Sequence, residues 1–535
     1  MTLNIIDCTL RDGGYYNDWD FPRDLIVEYL QAMAAASIDY VELGFRSFDK
    51  QGFKGACAYT TDNFIRSLPI PANIRIGVMM NAAELVNHPE GPLQAAKLQF
   101  TFASESPVTL VRFACHVHEF ETMLPVCKLL KEMGYMVGIN LMQVADRSEQ
   151  DIENIAKLAS NYDLDALYFA DSMGSLDPVQ TTRIVQALKR FWKGALGIHT
   201  HDNMGRAMAN TLAAIEEGAT WVDSTVTGMG RGPGNVQTEY VVIELEPLRS
   251  VKVNLTPLLV LIKKHFKPMQ IARGWGANPF YYMAGQYGIH PTYIQEMMSD
   301  PRYEETEILS VINHLKVVGG KKFSSETMEA GRQQFGGASL GSWKPAEVIA
   351  GRDVLIVGSG PGVRAHQKAI EEFIGKFKPY VIGLNTQKTI DDDLIDIRAA
   401  SQQYRLLADR EIYKTLPQPL VVAYSRLTDE VVESLSNVKT LNFGLVIEPN
   451  KFEFNENSAV VPTSLVVAYA LAIATSGRAK RIYLAGFDGF GADDLRAVEM
   501  NELLEQYQLC TGAIELAAIT PTRYKIPVTS VYSYA

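Results

Sequence analysis

Cysteine is scarce in this chain. Five occur among 535 residues, Cys8, Cys57, Cys115, Cys127 and Cys510, and no two form a C-x-x-C pair. An odd, scattered set of this kind reads as reduced thiols and argues against a disulfide framework. Long apolar runs are also missing, which leaves no segment able to span a membrane. The N-terminal Met1-Thr2-Leu3-Asn4 runs straight into a strand with no signal peptide, so a cytoplasmic protein is expected. Positive charge is short: 50 Lys and Arg stand against 61 Asp and Glu, a net charge of −11. That balance argues against nucleic acid as a main partner, because phosphate backbones need a basic surface. A small anionic substrate held by one or two local cations is still compatible with it. There is no low-complexity tract. What is present is ordinary globular composition, 47% hydrophobic and 21% charged, in a length that predicts two or three domains.

The first 248 residues repeat one pattern, a short apolar run followed by a helical stretch. The runs are Leu3–Asp7, Tyr40–Gly44, Ile74–Met80, Leu110–Cys115, Met136–Met142, Leu167–Ser172, Leu196–Asp202 and Trp221–Thr227. Eight such units predict an α/β fold of the (β/α)₈ barrel type; the alternative is an open doubly wound sheet. Polar residues collect at the ends of these runs: Asp7 with Arg11 and Asp12, Glu42, Asn81, Arg112 with His116, Asn140, Asp171 with Ser172, His199 with His201, and Asp223. Barrel enzymes carry their chemistry at the C-terminal ends of the strands.

His199 and His201 are two apart in a strand, so both imidazoles face the same way. Asp12 follows strand one, which lies near strand seven in a closed barrel. Two imidazoles and a carboxylate predict a divalent metal site, with Mn²⁺ or Mg²⁺ ahead of Co²⁺ or Zn²⁺. Arg11, beside Asp12, is placed to stabilise the charge that develops when a bond next to a ketone breaks.

Asp7-Cys-Thr-Leu-Arg-Asp-Gly-Gly14 resembles the D-x-T-L-R-D-G motif of the metal-dependent aldolase and lyase superfamily, which includes 4-hydroxy-2-oxovalerate aldolase, 3-hydroxy-3-methylglutaryl-CoA lyase and isopropylmalate synthase. His199-Thr-His-Asp-Asn-Met-Gly205, Ala170-Asp-Ser172 and Gly228-Met-Gly-Arg-Gly-Pro-Gly-Asn235 are similar to its other segments. The resemblance implies Asp12, His199 and His201 as metal ligands, Asn235 as a nearby or fourth ligand, and Arg11 at the enolate. It implies Glu42 as a residue that orients the groups around the metal, and Glu42 and Ser172 as substrate contacts. Val111–His116 and Ala284–Tyr287 look most like the oxovalerate aldolases. That group has a histidine base where this chain has Tyr15, a poor base but an adequate hydrogen-bond donor. His116 and His118 are the alternative bases. The expected reaction joins or splits a pyruvate-type enolate and an aldehyde. The alternative is a Claisen-type acyl-CoA synthase like isopropylmalate synthase. The relatives are commonly oligomers, so a homo-oligomer is expected.

Residues 249–334 read as a helical extension and 335–353, rich in Gly with Ser and Pro, as a linker. Residues 354–535 begin a second, Rossmann-like α/β pattern. Strands are expected at Val354–Gly358, Tyr380–Leu384, Leu420–Tyr424 and Arg481–Ala485, and helices at Val363–Lys376 and Ser464–Ser476. Gly358-Ser359-Gly360-Pro-Gly362 between strand and helix predicts a phosphate cradle. Val363 stands where a third fingerprint glycine belongs, and Asn385 where a dinucleotide site has an acid, which argues against NAD. With Asn385 and Asp488, the segment weakly resembles sialyltransferase-like nucleotide-binding domains of surface-glycan assembly. The resemblance implies a nucleotide or nucleotide-sugar ligand, with Pro462-Thr-Ser464 as a second anion contact.

Overall fold

The computed structural model describes residues 3–491 and 493–534. The chain forms two compact units. The first runs to Gln295 and takes in Gly320–Phe323; the second comprises Glu296–Gly319 and the chain from Ser324 onward. The stretch read from sequence as one helical extension is therefore divided between the units. The stretch read as a linker lies within the second, where Gly336 pairs with Ile447 and Ala346–Ile349 is a helical turn.

The first unit is a closed parallel barrel of eight strands: β1 (Asn4–Asp7), β2 (Tyr40–Phe45), β3 (Arg75–Asn81), β4 (Leu110–His116), β5 (Met136–Met142), β6 (Ala166–Asp171), β7 (Leu196–Thr200) and β8 (Trp221–Ser224). Closure is by β1 on β8, with Asn4 opposite Trp221 and Asp7 opposite Ser224. Alternation along the strands sorts their side chains. On β4, Val111, Phe113 and Cys115 join the main core, while Leu110, Arg112, Ala114 and His116 are the alternate positions. Leu110 packs with Ile6, Tyr40, Ala166, Tyr168 and Trp221 in an apolar layer of their own. Such layers fill a barrel of this size. The helices between strands start where the sequence caps them. Ser148 and Asp177 each accept from the amide of the third helical residue, Asp151 or Gln180, whose side chain accepts from the cap residue's own amide, and Pro178 takes the first turn of the second helix. After the barrel come the helices Thr238–Arg249, Thr256–Leu261 and Pro279–Tyr287.

The second unit holds a seven-stranded parallel sheet and a small three-stranded one. Its strands are β9 (Asp353–Val357), β10 (Tyr380–Leu384), β11 (Ile397–Ala399), β12 (Leu420–Val422), β13 (Thr440–Asn442), β14 (Gly444–Ile447), β15 (Glu453–Phe454), β16 (Ser458–Val461), β17 (Arg481–Ala485) and β18 (Leu516–Ala518). The order in the large sheet is β13-β12-β11-β10-β9-β17-β18. Helix Val466–Ser476, apolar on all sides, is buried in the core of one face, and Gln367–Phe377 packs with the core of the other. The single helix expected over 363–376 is two, because His366 leaves helical geometry between Pro361–Ala365 and Gln367–Phe377. Among the described residues no helix is long and apolar enough to cross a membrane.

Candidate metal centre and active site

The D-x-T-L-R-D segment folds into a tight turn of helix directly after β1, with the amides of Arg11 and Asp12 both donating to the Cys8 carbonyl. Asp7 holds that turn. Its carboxylate accepts from the Thr9 amide at 2.9 Å and from the hydroxyls of Thr9, Tyr29 and Thr238, each at 2.5 Å. Thr9 Oγ1 in turn accepts from the Val226 amide at 2.8 Å, tying the turn to the chain after β8. Asp7 is thus structural, and burial pushes its carboxyl above the usual range despite these donors.

Beyond the turn the barrel interior carries a closed ring of charge. Arg11 Nε meets Glu42 Oε1 at 2.7 Å, and Glu42 Oε2 meets Arg112 Nε at 2.6 Å. Arg112 Nη1 meets Asp223 Oδ1 at 2.8 Å, and Asp223 Oδ2 accepts from His199 Nδ1 at 3.0 Å. His199 Nε2 stands 3.3 Å from Asp12 Oδ2, and Asp12 Oδ1 closes the ring on Arg11 Nη1. All six residues are buried. The sequence singles out Arg112 and Asp223 as polar strand ends without a role; the ring gives them one. Glu42 is held by two arginines and 0% exposed and does not border the cleft, so it is positioned to orient Arg11, and the substrate contact expected of it is not there.

The residues expected as metal ligands lie together. One ligand atom each from Asp12, His199 and His201 lie within 4.8 Å of one another. The two imidazole rings are 5.1 Å apart at nearly right angles. His201 Nδ1 donates to the Asp171 carbonyl at 2.8 Å, as His199 Nδ1 does to Asp223, so both rings keep Nε2 free for an ion. Asn235 is delivered by the glycine loop after β8. Gly234, at φ 76°, crosses so close to the Gly228 carbonyl that a Cβ has no room, and the loop then pairs Asn235 with His201. Asn235 Nδ2 donates to Asp12 Oδ2 at 2.6 Å, and its Oδ1 is buried with no partner.

These donors fit a divalent cation. The facing lone pairs of Asp12 and His199 need a positive charge between them. Burial works against a protonated His199, but Asp12 and Asp223 outweigh it and raise its pKa to about 8. His201 is pushed the other way, to about 3, by burial and then by His199, so it is neutral and free to ligate. A second group of donors, Cys8 with His199 and Asp223, fits less well. Cys8 Sγ donates to the Ser224 carbonyl, and burial raises its thiol well above the usual range. Asp12→Asn is expected to weaken Mn²⁺ binding at least ~100-fold with the fold retained, since loss of an outer-shell partner alone costs up to that much. Calorimetric titration of both proteins with Mn²⁺ checks it, and unchanged affinity would remove Asp12 from the ligand set.

A cleft of about 260 Å³ opens over these residues, bordered by Arg11, Asp12, His199 and His201 together with Tyr15, His116 and Ser172. Tyr15 is 39% exposed, edge-on to Trp19 and Phe45, with the Arg231 guanidinium 5.0 Å over its ring. Ser172 Oγ accepts the Gln143 amide at 3.0 Å. Of the two histidines offered as bases, only His116 borders the cleft; the side chain of His118 is 77% exposed. Asn140 also borders it, with a buried Oδ1 lacking any partner.

Sequence reasoning missed His290 and Arg231 as cleft residues. His290 lies between the helices Pro279–Tyr287 and Pro291–Ser299, far along the chain from the strand ends. Its Nδ1 accepts the Thr292 amide at 3.3 Å, which puts the proton of the neutral ring on Nε2. Burial, then Arg231, lowers its pKa to about 4. The only signal was the aromatic and breaker-rich run before it, too irregular for a surface helix.

In the second unit, Gly358, Ser359, Gly360, Asn385 and Asp488 border one cleft of about 510 Å³. The second anion contact expected at Pro462-Thr-Ser464 is not there: these residues lie along other surfaces, and Leu465 is the first of that segment to reach the cleft.

Residues 2–262 match the family model described as HMGL-like. A 4-hydroxy-2-oxovalerate aldolase from Carboxydothermus hydrogenoformans is 30% identical over 334 residues, covering 60% of this chain and 94% of the relative. An oxaloacetate decarboxylase from Mycobacterium tuberculosis is 28% identical over 245 residues, 45% of this chain and 69% of that enzyme. Among solved structures, the N-terminal domain of a candidate aldolase from Bacteroides vulgatus superimposes with a TM-score of 0.51 at 28% identity, covering 56% of this chain and 97% of that one. With nearly the whole of an aldolase matched at that identity, and with the metal-ligand set in place at the mouth of the barrel, the chain belongs to the HMGL-like family, and its first unit is a divalent-metal-dependent carbon–carbon lyase.

Proposed function

We propose that the first unit cleaves, and in reverse forms, the C3–C4 bond of a 4-hydroxy-2-oxo acid, giving pyruvate and an aldehyde. The observation that carries this is Arg11 Nη2, buried without a partner in the guanidinium that also pairs with Asp12 and borders the cleft. A donor so placed suits the oxygen on which negative charge develops as the bond breaks. A divalent cation, when bound by Asp12, His199, His201 and Asn235, supplies a Lewis acid for the 2-oxo group. The mixed oxygen and nitrogen donors suit Mn²⁺ or Mg²⁺, with Co²⁺ or Zn²⁺ next.

The chain's own groups account for the protons. His116 takes the proton of the 4-hydroxyl as the C3–C4 bond breaks, and returns it to C3 of the enolate so that pyruvate leaves with the protons balanced. His290, with its proton on Nε2, and the Tyr15 hydroxyl are the donors that orient the aldehyde oxygen. Ser172 and Asn140 line the same cleft as substrate contacts. Arg231 offers a cation to the substrate carboxylate.

Release of pyruvate, followed through lactate dehydrogenase, tests the reading on a panel of 4-hydroxy-2-oxo acids that includes sugar-derived ones. Oxaloacetate belongs in the panel because of the decarboxylase relative. Metal-dependent pyruvate from a hydroxy-oxo acid, abolished by chelation, is the expected result. Silence with the metal bound, and thiol release from acetyl-CoA with a 2-oxo acid, would make the protein a Claisen-type synthase instead. His116→Asn is expected to lower kcat/KM by about 10²–10⁴-fold. His290→Asn should cost only about tenfold. The opposite pattern would make His290 the base.

A nucleotide or nucleotide-sugar at the second unit would join both units in building a surface glycan, with a sugar-derived aldehyde as partner. Support for this is the cleft that gathers Gly358, Asn385 and Asp488. Self-association is part of the same reading, since Tyr240, Ile243 and Leu248 stand exposed on one helix of the first unit.

A further inference from the structure

About half of the chain lies beyond the matched family segment, and the second unit has its own cleft. It sits where the connections of the parallel sheet part. From β9 the chain crosses to β10 on one side, while β17 lies on the other side and leads on to β18. The turns after β9 and β17 face each other there, Gly358–Gly362 against Gly486–Asp488. Crevices outside the carboxyl ends of strands at such a switch point are the ligand sites of open α/β sheets. The fit of the two turns is close. A Cβ on Gly360 or Gly362 would collide with the Asp488 carboxylate.

Three features of the cleft are unmet by the protein. First, Gln387 is only 5% exposed, and neither its amide nitrogen nor its amide oxygen has a hydrogen-bond partner among the described residues. A buried amide left wholly unpaired destabilises the fold unless something else satisfies it. Second, Asp488 Oδ2 is buried and equally unpartnered. Third, Arg364 and Lys388 border the cleft, both exposed, and neither forms an ion pair among the described residues. Arg405 adds a third cation, loosely paired to Glu304 at 3.4 Å. Apolar surface from Leu465 and Met500 borders the same space.

We propose that this cleft binds a nucleoside phosphate: Arg364, Lys388 and Arg405 take the phosphates, Asp488 accepts from a ribose hydroxyl, and the Gln387 amide reads the edge of the base. This rests on the reading of the second unit as a nucleotide-binding domain and commits it to these residues. A bare phosphate or pyrophosphate would match the cations but leave the Gln387 amide, the Asp488 oxygen and the apolar surface without a counterpart. A neutral sugar would leave the cations without one. The volume, about 510 Å³, falls in the range of roughly 300–1,000 Å³ usual for small-molecule sites.

Calorimetric titration of the full chain with CDP, UDP, ADP and GDP, and with inorganic pyrophosphate as the arm lacking a nucleoside, decides it. The result does not depend on turnover in the first unit, so it stands or falls apart from the aldolase reading. At least one nucleotide should bind about tenfold or more tightly than pyrophosphate. The double variant Arg364→Ala, Lys388→Ala, at exposed positions where folding is not at stake, should weaken that nucleotide about tenfold or more. Gln387→Leu, of similar volume, should bring the nucleotide toward the affinity of pyrophosphate while far-ultraviolet circular dichroism stays that of the parent. No heat from any of the four nucleotides, pyrophosphate binding as tightly as they do, or an unaffected double variant would each overturn the proposal.

Discussion

Arg11→Lys is expected to lower kcat for pyruvate release by about 10²–10³-fold, roughly 3–4 kcal/mol of lost transition-state stabilisation, with Mn²⁺ still bound. The guanidinium works in three directions at once. Nε is on Glu42 at 2.7 Å, Nη1 is on Asp12, and Nη2 is buried with no protein partner. A lysine is a single point of charge and cannot hold all three. Glu42 and Asp12 both attract it, so the position left vacant is the one facing the developing negative charge. The loss should fall on kcat more than on KM, because the interaction is made chiefly as charge builds. Steady-state kinetics with parallel metal titration give the answer. Activity within about threefold of the parent, with metal bound, would remove Arg11 from the chemistry.

Arg112→Met is expected to destabilise the first unit by about 3–5 kcal/mol, although no atom of Arg112 borders the cleft. Arg112 is fully buried between Glu42 Oε2 at 2.6 Å and Asp223 Oδ1 at 2.8 Å, with its guanidinium 4.6 Å over the Tyr168 ring. Removing it leaves two carboxylates at the barrel centre with one balancing cation fewer. The source of the loss is testable. Glu42→Gln added to Arg112→Met should return part of the stability, because an uncompensated carboxylate is then gone. Denaturation followed by tryptophan fluorescence reports mainly the first unit, which holds Trp19, Trp192, Trp221 and Trp275, against Trp343 in the second. A change under about 1 kcal/mol would mean the ring contributes little to stability.

The barrel was legible because its strands are long enough to show. β5 begins and ends on the residues read from sequence, and the other seven lie within a few residues of theirs. The second sheet was half legible. β9, β10 and β17, and β12 inside the run Leu420–Tyr424, were visible as apolar runs, whereas β11 and β13 are three residues each and are broken by Arg398 or by Thr440 and Asn442. The glycine turn after β9 and Asp488 after β17 could be named singly, but not their contact, which depends on β17 lying beside β9.

At the candidate site the same division holds. The chain itself fixed Arg11 beside Asp12, and His199 two residues from His201, because neighbours along a strand or turn have no freedom to be elsewhere. Their chemistry follows from residue type. Only the closure of the barrel could decide that Asp12 meets His199, that Glu42 spans Arg11 and Arg112, and that Asp223 turns the His199 ring to free Nε2. These are contacts between strands distant in sequence, fixed by register and by which face each side chain occupies. His290 is the extreme case. The aromatic, breaker-rich run before it marks an irregular segment but not a cleft residue, and only the packing of the helices after the barrel brings it to the cleft beside Arg231. Local spacing determines which groups can act together along one strand; the folded barrel determines which of them meet.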